Sequence, residues 1–562
     1  MTKRPKNKNI LKIIPLGGSE EVGKNCTVFE YNNEIIVLDL GLDFPTEKMP
    51  GIDYLIPDVD YLKKNKEKIK GVVITHGHLD HIGAIPYLIE EIGLPKIYGL
   101  PLTIGLIRER LKEFNLEKKV KLDVISLKTK LKFKNFSISF FHVNHNIPDS
   151  MGVVFQTPIG KVVHTGDFKI DLTPTDQKPI DLEEIEKLGD GGVLAFLSDS
   201  TSAPKPGKTF SEARVTLMID ELFAKIKGRI IFTTFSTLIT RLQEVIKAAE
   251  KYGRKVMIAG LSMEKTIRVA TDLGYIKIKP ETLIKPNQVK KIPEEKIVVI
   301  ASGSQGMEES ALSRISLGKH RFIKIKKNDT VIFSSTPIPG NEQAVHFLMN
   351  EIVDQGAKVI YEPVFGIHAS GHAQQEDLKQ MISLIRPKYF IPAYGEHYMQ
   401  AHHAELAQEK GIPQENIFIL DNGDCLEINK NQIAQVVKNK ARAETILVDG
   451  LGIGDVKHVV LRDRKTLSEA GIFVIVLLTE KKKRIINNLE IVSRGFVFLK
   501  ASEKLIEETK DKIQKITKNY LKSQSKSIDW EPLRTKLRNQ IADYLYTRTG
   551  RRPMILPLII EI

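Results

Sequence analysis

Residues 76–81, with the sequence H-G-H-L-D-H, constrain this chain more than any other segment. They combine three imidazoles with one carboxylate, and both groups are ligands that suit Zn²⁺ or Mn²⁺. The β-branched residues 70–75 predict a strand before the segment, and the spacing of apolar residues in 82–92 predicts a helix after it. Ligands between a strand end and a helix lie on a rigid rim that is open to solvent. The segment therefore predicts a catalytic metal site in an α/β fold.

The same segment contains ligands for more than one metal ion. In a tight turn, its first two histidines can face one cation while its aspartate and last histidine face a neighbour. These residues do not complete two sites, so further ligands are expected at other strand ends, and the candidates are His145 and Asp167. A carboxylate such as Asp167 can bridge two cations and hold them about 3.5–4 Å apart. The residues predict two divalent metal ions, with Zn²⁺ favoured and Mn²⁺ or Mg²⁺ as alternatives.

The order of predicted strands and helices divides the chain into several units. Apolar strands and helical stretches alternate in the first part, as in a layered α/β domain. Later β-α pairs are typical of a doubly wound insertion, after which histidine-containing loops return and the first domain is expected to resume. The predicted boundaries are 1–210 and 367–446 for the first domain, 211–366 for the insertion, 447–465 for a Gly-rich linker and 466–562 for a small α+β C-terminal domain.

The composition limits which binding partners and which cellular compartment are expected. The formal net charge of +15 favours polyanionic partners such as nucleic acid, although a general richness in lysine explains it equally well. The chain has only two cysteines, which excludes a disulfide framework and fits a reducing compartment. No apolar run approaches the ~20 residues of a membrane span, and no apolar signal region follows the basic N-terminus. We therefore expect a cytoplasmic location and no membrane partner.

Several motifs together resemble those of the ribonuclease J family, the bacterial branch of the β-CASP nucleases in the metallo-β-lactamase superfamily. They are G-L-D-F-P (41–45), H-G-H-L-D-H (76–81), H-N-I-P-D-S (145–150), H-T-G-D-F-K (164–169), F-S-S-T-P-I-P-G-N-E (333–342), H-A-S-G-H-A (368–373) and R-R-P-M-I-L-P (551–557). The similarity extends over nearly the whole chain. It implies a metallo-β-lactamase αββα sandwich with an inserted doubly wound β-CASP domain and a small α+β C-terminal domain.

The resemblance implies which side chains hold the two metal ions. The ligands of one ion are His76, His78 and His145, those of the other are Asp80 and His81, and Asp167 bridges them. One position departs from the family pattern I-P-V-H-G-E, because residues 391–396 read I-P-A-Y-G-E. Tyr394 replaces the last histidine ligand, and a phenol with an ordinary pKa of about 10 is a poor ligand unless it is ionised. We expect a weakly bound second ion unless water or His397 fills the position.

The resemblance also implies catalytic and binding residues. Asp199, in L-S-D-S-T, matches an acidic motif, and His372 matches a histidine of substrate binding and protonation. With Asp80, these are the predicted catalytic residues. A pocket for a 5′-phosphate would be lined by His368, Ala369, Ser370, Gly371 and His372. Asp53 and Asp449 match positions that help to hold a structural calcium ion in family members.

Basic residues of the insertion are candidates for contacts to RNA phosphates, with a solvated helix face as the alternative for each of them. They are Arg241, Arg254, Lys265, Arg314, Lys319 and Arg321. Residues 235–241, F-S-T-L-I-T-R, depart from the family pattern S-N-x-H-R, so fewer RNA contacts are expected in that loop. Phe44, Phe235 and Tyr394 are candidates for base stacking, with core packing as the alternative.

The resemblance implies a ribonuclease that leaves 5′-phosphate and 3′-hydroxyl products, with 5′-to-3′ exonuclease and endonuclease action in rRNA maturation and mRNA decay. The substrate would be single-stranded RNA, preferably with a 5′-monophosphate. The C-terminal domain would mediate a homodimer or higher oligomer, with a sister subunit as a further partner. Tyr394 motivates the alternative of a catalytically weak, RNA-binding partner subunit. A hydrolase of a small thioester or lactone is disfavoured because it would not need residues 211–365.

Overall fold

The computed structural model describes residues 9–46, 48–175, 177–338, 340–361, 366–450, 452–456, 458–480, 485–496, 503–524 and 528–561. The chain forms two compact units. Unit 1 comprises Met1–Phe44 and Leu55–Ile446, and unit 2 comprises Pro45–Tyr54 and Leu447–Ile562. Among the described residues, no helix is both long and apolar enough to span a membrane.

The strands and helices alternate along most of the chain. The strands are β1 (Ile10–Gly17), β2 (Cys26–Tyr31), β3 (Glu34–Leu38), β4 (Tyr54–Pro57), β5 (Ile69–Val73), β6 (Ile97–Gly99), β7 (Leu122–Val124), β8 (Leu131–Lys132), β9 (Ser137–His142), β10 (Met151–Thr157), β11 (Gly160–His164), β12 (Val193–Asp199), β13 (Ile230–Thr233), β14 (Lys255–Ala259), β15 (Ile297–Ala301), β16 (Thr330–Phe333), β17 (Lys358–Tyr361), β18 (Pro387–Ala393), β19 (Cys425–Asn429), β20 (Ala434–Val437), β21 (Thr445–Asp449), β22 (Gly452–Ile453), β23 (Ile472–Glu480), β24 (Ile485–Arg494) and β25 (Met554–Glu561). The helices are α1 (Asp60–Lys64), α2 (Leu79–Ile82), α3 (Ile85–Leu88), α4 (Pro101–Glu113), α5 (Leu182–Asp190), α6 (Glu212–Lys225), α7 (Ile239–Lys251), α8 (Leu261–Asp272), α9 (Ala311–Ser316), α10 (Glu342–Asp354), α11 (Gln375–Ile385), α12 (His397–Glu409), α13 (His458–Ala470), α14 (Glu503–Ser523) and α15 (Glu531–Thr549).

Two large sheets face each other in unit 1. One has the strand order β20-β19-β1-β2-β3-β5-β6-β7 and the other β18-β12-β11-β10-β9-β8. Their inner faces share one apolar core, in which the rings of Phe29 and Phe155 stack with centroids 4.1 Å apart. Helices α5, α11 and α12 cover the outer face of the second sheet, and α4 packs on β6 and β7. The predicted αββα sandwich of a metallo-β-lactamase domain is confirmed.

The insertion has its own sheet in unit 1, with the order β14-β15-β13-β16-β17 and parallel pairing throughout. Strand β15 reads I-V-V-I-A and is buried along its whole length, as a strand covered on both faces must be. The chain leaves β13 toward one edge of the sheet and later returns to the other edge. This reversal is the doubly wound arrangement that the β-α pairs predicted.

In unit 2, helices α14 and α15 pack on one face of a sheet with the order β24-β23-β25. Phe473, Ile475 and Leu477 alternate along β23 and form the core with these helices. Residues 447–465, which we interpreted as a linker, contain the end of β21, β22 and the first part of α13. Strands β21 and β22 pair antiparallel across a turn in which Gly450 has a φ of +56°.

Candidate metal centre and active site

The metal-binding segment follows β5 at the carboxyl edge of the first sheet, beside the end of β3. These strands are parallel neighbours, so the residues after them meet at one edge. The backbone amide of Leu40 donates to the carbonyl of His81 at 2.8 Å. At Gly41 a Cβ atom would lie 1.5 Å from the carbonyl oxygen of Asp80, so only glycine allows this close approach. The turn after β3 therefore packs against the loop that carries the metal ligands.

Four side chains converge in what we term metal site 1: His76, His78, His145 and Asp167. Nδ1 of His78 lies 3.0 Å from Nε2 of His76 and 3.1 Å from Nε2 of His145. Oδ2 of Asp167 lies 3.7 Å from each of these Nε2 atoms. Ligand atoms around a tetrahedral zinc ion, at about 2.0–2.1 Å from it, are about 3.3 Å from one another. The donor set and its spacing therefore fit a divalent cation.

Three side chains form metal site 2: Asp80, His81 and Asp167. Nε2 of His81 lies 3.3 Å from Oδ2 of Asp80 and 3.4 Å from Oδ2 of Asp167. Asp167 is common to both sites, as expected for a bridging carboxylate. The structure thus brings together all six ligands predicted from the sequence other than Tyr394.

Hydrogen bonds on the far side of the imidazoles orient their metal-facing nitrogens. Nδ1 of His81 donates to Asp39 at 2.8 Å, and Nδ1 of His145 donates to the carbonyl of Gly371 at 2.7 Å. Nδ1 of His76 lies 3.0 Å from the hydroxyl of Thr75. These contacts aim each Nε2 at the centre, and at His76 and His145 they leave it without a proton. Sequence reasoning missed Asp39 and Thr75, and the pairing of β3 with β5 was the signal that could have found Asp39.

The charges around the centre favour cation binding. Four aspartates surround it: Asp39, Asp80, Asp167 and Asp199. Burial lowers the pKa of His81, but Asp167, Asp80 and Asp39 outweigh burial and raise that pKa well above its ordinary value. Burial and the neighbouring imidazoles lower the pKa of His76 and of His145 far below the usual range. Neutral imidazoles at metal site 1 and the carboxylates of both sites are donors that suit a divalent ion, and the chain binds divalent metal; an ion at metal site 2 would displace the proton of His81.

His372 and Asp199 form a pair at the edge of the centre. Nδ1 of His372 donates to Oδ2 of Asp199 at 2.7 Å, and Oδ1 of Asp199 accepts from the amide of Thr201 at 2.9 Å. Burial lowers the pKa of His372, but the charge and hydrogen bond of Asp199 outweigh it and raise that pKa to about 9. The imidazole is 25% exposed and lies 3.9 Å from Asp167. It is a protonated group that faces both the metal sites and solvent.

Residues 368–372 pass directly over His145. A Cβ atom on Gly371 would lie 2.5 Å from Cε1 of His145, so glycine is required where its carbonyl accepts the imidazole N–H. The hydroxyl of Ser370 accepts from the amide of His372 at 3.1 Å, which fixes the turn before the imidazole. The sequence assigned this segment to phosphate binding, and the structure additionally gives it the role of orienting His145.

Tyr394 is buried and has a φ of +61°, in the left-handed region. Its hydroxyl donates to Oδ2 of Asp39 at 3.3 Å, and its ring packs 5.3 Å from that of His164. Burial, and then the surrounding aspartates, raise the pKa of Tyr394 well above 10, so the phenol is neutral. His397 does not fill the vacant ligand position, because it is 63% exposed and pairs with Glu20 at 2.9 Å.

The two residues of the expected calcium site have other partners in this structure. Oδ2 of Asp53 accepts from the amide of Gly450 at 2.7 Å, and the carboxylate of Asp449 forms an ion pair with Arg464. The same guanidinium donates to the carbonyl of Gly51 at 3.0 Å. A calcium ion needs six to eight oxygen ligands, so these groups would have to exchange partners to hold one, and the calcium site stays a prediction.

Two basic residues predicted to contact RNA have structural roles instead. Arg241 is buried and pairs with Glu212 at 2.7 Å, and Lys169 contacts the other oxygen of Glu212 at 3.1 Å. Arg254 is also buried, and its guanidinium donates to the carbonyls of residues 226 and 228. Arg314, Lys319 and Arg321 are exposed, and Lys265 is half-buried and pairs with Glu113 at 2.6 Å. These four residues remain candidates for phosphate contacts. The sequence alone does not show which of these basic residues are buried, because their buried partners lie far away along the chain.

We predict that Arg241→Leu lowers the free energy of unfolding by about 3 kcal/mol, because it leaves the Glu212 carboxylate buried with only one cationic partner. Burial raises the pKa of Glu212, but Arg241 and then Lys169 outweigh it and hold that pKa at about 2. Urea unfolding at neutral pH measures the loss. Arg268→Leu is the control, since Arg268 pairs with Glu109 at 2.7 Å but is exposed and should contribute at most about 1 kcal/mol. Equal losses in the two variants would contradict the prediction.

Four known protein families match segments that together cover most of the chain. Residues 20–193 match the metallo-beta-lactamase superfamily, and 227–352 match "Ribonuclease J, beta-CASP domain". Residues 356–420 match "Zn-dependent metallo-hydrolase RNA specificity domain", and 459–562 match "Ribonuclease J C-terminal domain". The four matches fall in the order of the sandwich, the insertion, the returning part of the sandwich and the C-terminal unit.

Curated relatives match over the full length. The chain is 43% identical over 553 residues to Ribonuclease J 1 of Streptococcus pyogenes, covering 98% of each chain. It is 40% identical over 560 residues to Ribonuclease J2 of Bacillus subtilis, covering 100% of each chain. A crystal structure of an Enterococcus faecalis protein of unknown function is similar with a TM-score of 0.53 at 15% identity, covering 74% of this chain and 100% of that one. The last similarity concerns the fold alone.

Proposed function

Since this chain belongs to the ribonuclease J family and is a metal-dependent hydrolase of RNA, we propose that it cleaves single-stranded RNA to 5′-phosphate and 3′-hydroxyl products. The observation that carries the proposal is the convergence of metal site 1, metal site 2 and the His372–Asp199 pair on the single carboxylate of Asp167. A phosphodiester held there has ligand-bearing groups on one side and a proton donor on the other.

We propose that two divalent ions occupy the centre, Zn²⁺ in the first instance with Mn²⁺ or Mg²⁺ as alternatives. When bound, such ions activate water and neutralise charge on the phosphoryl oxygens. The protein contributes the positions of the six ligands, and Asp39, Thr75 and the Gly371 carbonyl orient three of them, His81, His76 and His145. Because Asp80 is partly exposed while the other carboxylates are buried, it lies on the side from which RNA enters.

The chemical step forms a bond from water oxygen to phosphorus and breaks the bond from phosphorus to the 3′ oxygen. We assign His372 as the general acid that protonates this leaving oxygen. Its Nδ1 is engaged by Asp199, so its Nε2–H is the proton available for transfer. Asp199 holds the imidazole in this orientation and favours its charged form.

A 5′-monophosphate end is the preferred entry point in this proposal. Residues 369–371, which are Ala, Ser and Gly, lie close to His145 and leave room for a phosphate beside the backbone. A terminal phosphate held there would place the next linkage at Asp167 and give 5′-to-3′ removal of nucleotides. Entry of an internal segment would give endonuclease cuts. Both actions serve rRNA maturation and mRNA decay in the cytoplasm.

The proposal is tested by incubating the purified chain with 5′-monophosphorylated single-stranded RNA and Mn²⁺ or Mg²⁺, beside an Asp80→Ala control. Mononucleotides released by the parent alone would support the exonuclease, and internal fragments alone would favour an endonuclease. Cleavage by both proteins would indicate a contaminating nuclease. No cleavage by either, with RNA still bound, would favour the partner-subunit alternative that Tyr394 motivates.

We further propose that unit 2 mediates self-association of this chain, as a dimer or higher oligomer, with a sister subunit as a further partner. On the sheet face opposite α14 and α15, β25 exposes Leu556, Leu558 and Ile560, each at least 40% accessible. Their neighbours in register on β23 are Val474, Val476 and Leu478, which are also apolar. Antiparallel and mixed sheets usually place polar residues on an uncovered face, so this face is suited to a second copy of the chain.

We predict that Leu558→Glu converts the oligomer to monomers, because a carboxylate at the centre of the apolar face cannot be buried without a partner. Sedimentation velocity measures the change in mass. Leu467→Glu is the matched control, since Leu467 is equally exposed but lies on α13. An oligomer that persists in Leu558→Glu, or one lost in both variants, would contradict the assignment of this face.

A further inference from the structure

We propose that metal site 2 is completed by the side-chain amide of Asn25 rather than by Tyr394, so that the two sites differ in affinity and in metal preference. The inference rests on the metal centre of the proposed function, but not on RNA cleavage. It concerns a residue outside every motif that we singled out in the sequence.

The hydroxyl of Tyr394 points away from metal site 2. It binds Oδ2 of Asp39, the atom that also accepts from Nδ1 of His81 at 2.8 Å. The metal-facing atom of His81 is Nε2, on the other edge of the imidazole ring. A phenol anchored beside Nδ1 cannot ligate an ion beside Nε2. Tyr394 is therefore a positioning residue that acts through Asp39, and the position of the usual fourth ligand is left open.

The amide of Asn25 lies beside the ligand atoms of metal site 2. Its nitrogen is 2.9 Å from Nε2 of His81 and 3.3 Å from Oδ2 of Asp80, which are ligand-to-ligand distances of a tetrahedral site. Asn25 is 3% exposed, and its backbone amide and carbonyl bond to Asp80 and Gly41, so the side chain is firmly placed. Its oxygen Oδ1 is buried and has no hydrogen-bond partner among the described residues.

A buried amide oxygen without a partner costs free energy, about 1–3 kcal/mol. Rotating the amide by half a turn exchanges Oδ1 with the nitrogen and directs the oxygen at the ion. No other histidine, cysteine, aspartate or glutamate in the described part of the chain joins this group. The amide oxygen of Asn25 is thus a further donor that the geometry supplies at metal site 2.

The resulting donor sets predict different metals. Metal site 1 has three imidazole nitrogens and one carboxylate oxygen, a set that favours Zn²⁺. Metal site 2 has one imidazole nitrogen, two carboxylate oxygens and one amide oxygen, and oxygen-rich sets suit Mn²⁺ or Mg²⁺. A neutral amide is also a weaker donor than imidazole. We expect one tightly held ion per chain and a second that exchanges readily.

The test is metal binding by the full-length chain. The protein is stripped with a chelator, loaded with one equivalent of Zn²⁺ and titrated with Mn²⁺, with free Mn²⁺ measured by electron paramagnetic resonance. The parent should retain about one zinc per chain on dialysis and bind one Mn²⁺ more weakly. Asn25→Ala should weaken Mn²⁺ binding by about 10–100-fold, the range found for groups that tune metal sites. Its retained zinc and unchanged circular dichroism would show that it folds.

Two conservative variants separate ligation from hydrogen bonding. Asn25→Asp keeps the shape and an oxygen donor but loses the N–H, so it should bind Mn²⁺ at least as tightly as the parent. Tyr394→Phe should change Mn²⁺ affinity by no more than about threefold, because Asp39 keeps its bonds to His81 and Thr75.

Weak Mn²⁺ binding by Asn25→Asp would overturn the proposal, since it would show that the amide acts only as a hydrogen-bond donor. Loss of the second ion in Tyr394→Phe, or a tyrosinate absorbance on metal addition in the parent, would also overturn it by identifying a phenolate ligand. A parent that binds neither Zn²⁺ nor Mn²⁺ would refute this inference and the metal centre together. RNA cleavage assayed separately distinguishes a failure of the proposed reaction from a failure of this ligand assignment.

Discussion

Replacing Asp167 by asparagine should release the ion of metal site 2, weaken binding at metal site 1 and lower the rate of RNA cleavage by about 10³-fold or more. Oδ2 of Asp167 lies within 3.9 Å of ring nitrogens of His76, His81, His145 and His372. A neutral amide there removes the shared charge, and metal ions stabilise the transition state by several kcal/mol, where about 4 kcal/mol corresponds to about 10³-fold in rate.

The measurements are elemental analysis of the dialysed variant and single-turnover cleavage of a 5′-monophosphorylated RNA. Asp190→Asn is the matched control, because Asp190 is an exposed carboxylate that pairs with Arg386 at the surface. The control should keep the parent's metal content and rate. If Asp167→Asn retained two ions, Asp167 would not be the bridge; if it lost the ions but still cut RNA, the reaction would not depend on this centre.

The sequence was sufficient to predict which side chains converge at the centre, because they occur in short motifs at strand ends. His145 follows β9 and Asp167 follows β11, two strands of the second sheet that are separated by β10, and their approach to residues 76–81 follows from the sandwich. The motifs indicated Asp199 and His372 separately, and the hydrogen bond between them is a finding of the structure. Ligands at the ends of short strands form a local sequence pattern. Such a pattern can be recognised without knowing how the strands pack.

Other features depend on packing that no local pattern encodes. Asn25 reaches metal site 2 only because the turn after β1 packs against residues 39–42, where Gly41 leaves no room for a side chain. The direction of Tyr394 is set by its positive φ, which is a property of the folded turn. Arg241 is buried and pairs with Glu212, although the sequence indicated it as a candidate for contacts to RNA phosphates. In each case the deciding partner lies tens to hundreds of residues away.

The second large effect expected is at His372. We predict that His372→Gln lowers the rate of RNA cleavage by about 10²–10⁴-fold, the usual contribution of a general acid, while metal content stays at the parent's level. His372 belongs to neither metal site, and its Nδ1 is occupied by Asp199 at 2.7 Å. Glutamine can still accept or donate a hydrogen bond, but it cannot deliver a proton to the leaving 3′ oxygen.

A substrate with sulfur in place of that 3′ bridging oxygen provides the sharpest test. A thiolate leaves without protonation, because its pKa of about 8.5 lies far below that of an alkoxide. The rate of His372→Gln on this substrate should therefore approach that of the parent, while the rate of Asp167→Asn should stay low. Asp199→Asn should show a smaller loss with the same rescue, since it acts through the imidazole. A loss in His372→Gln that is equally large on both substrates would instead assign His372 to binding of the RNA.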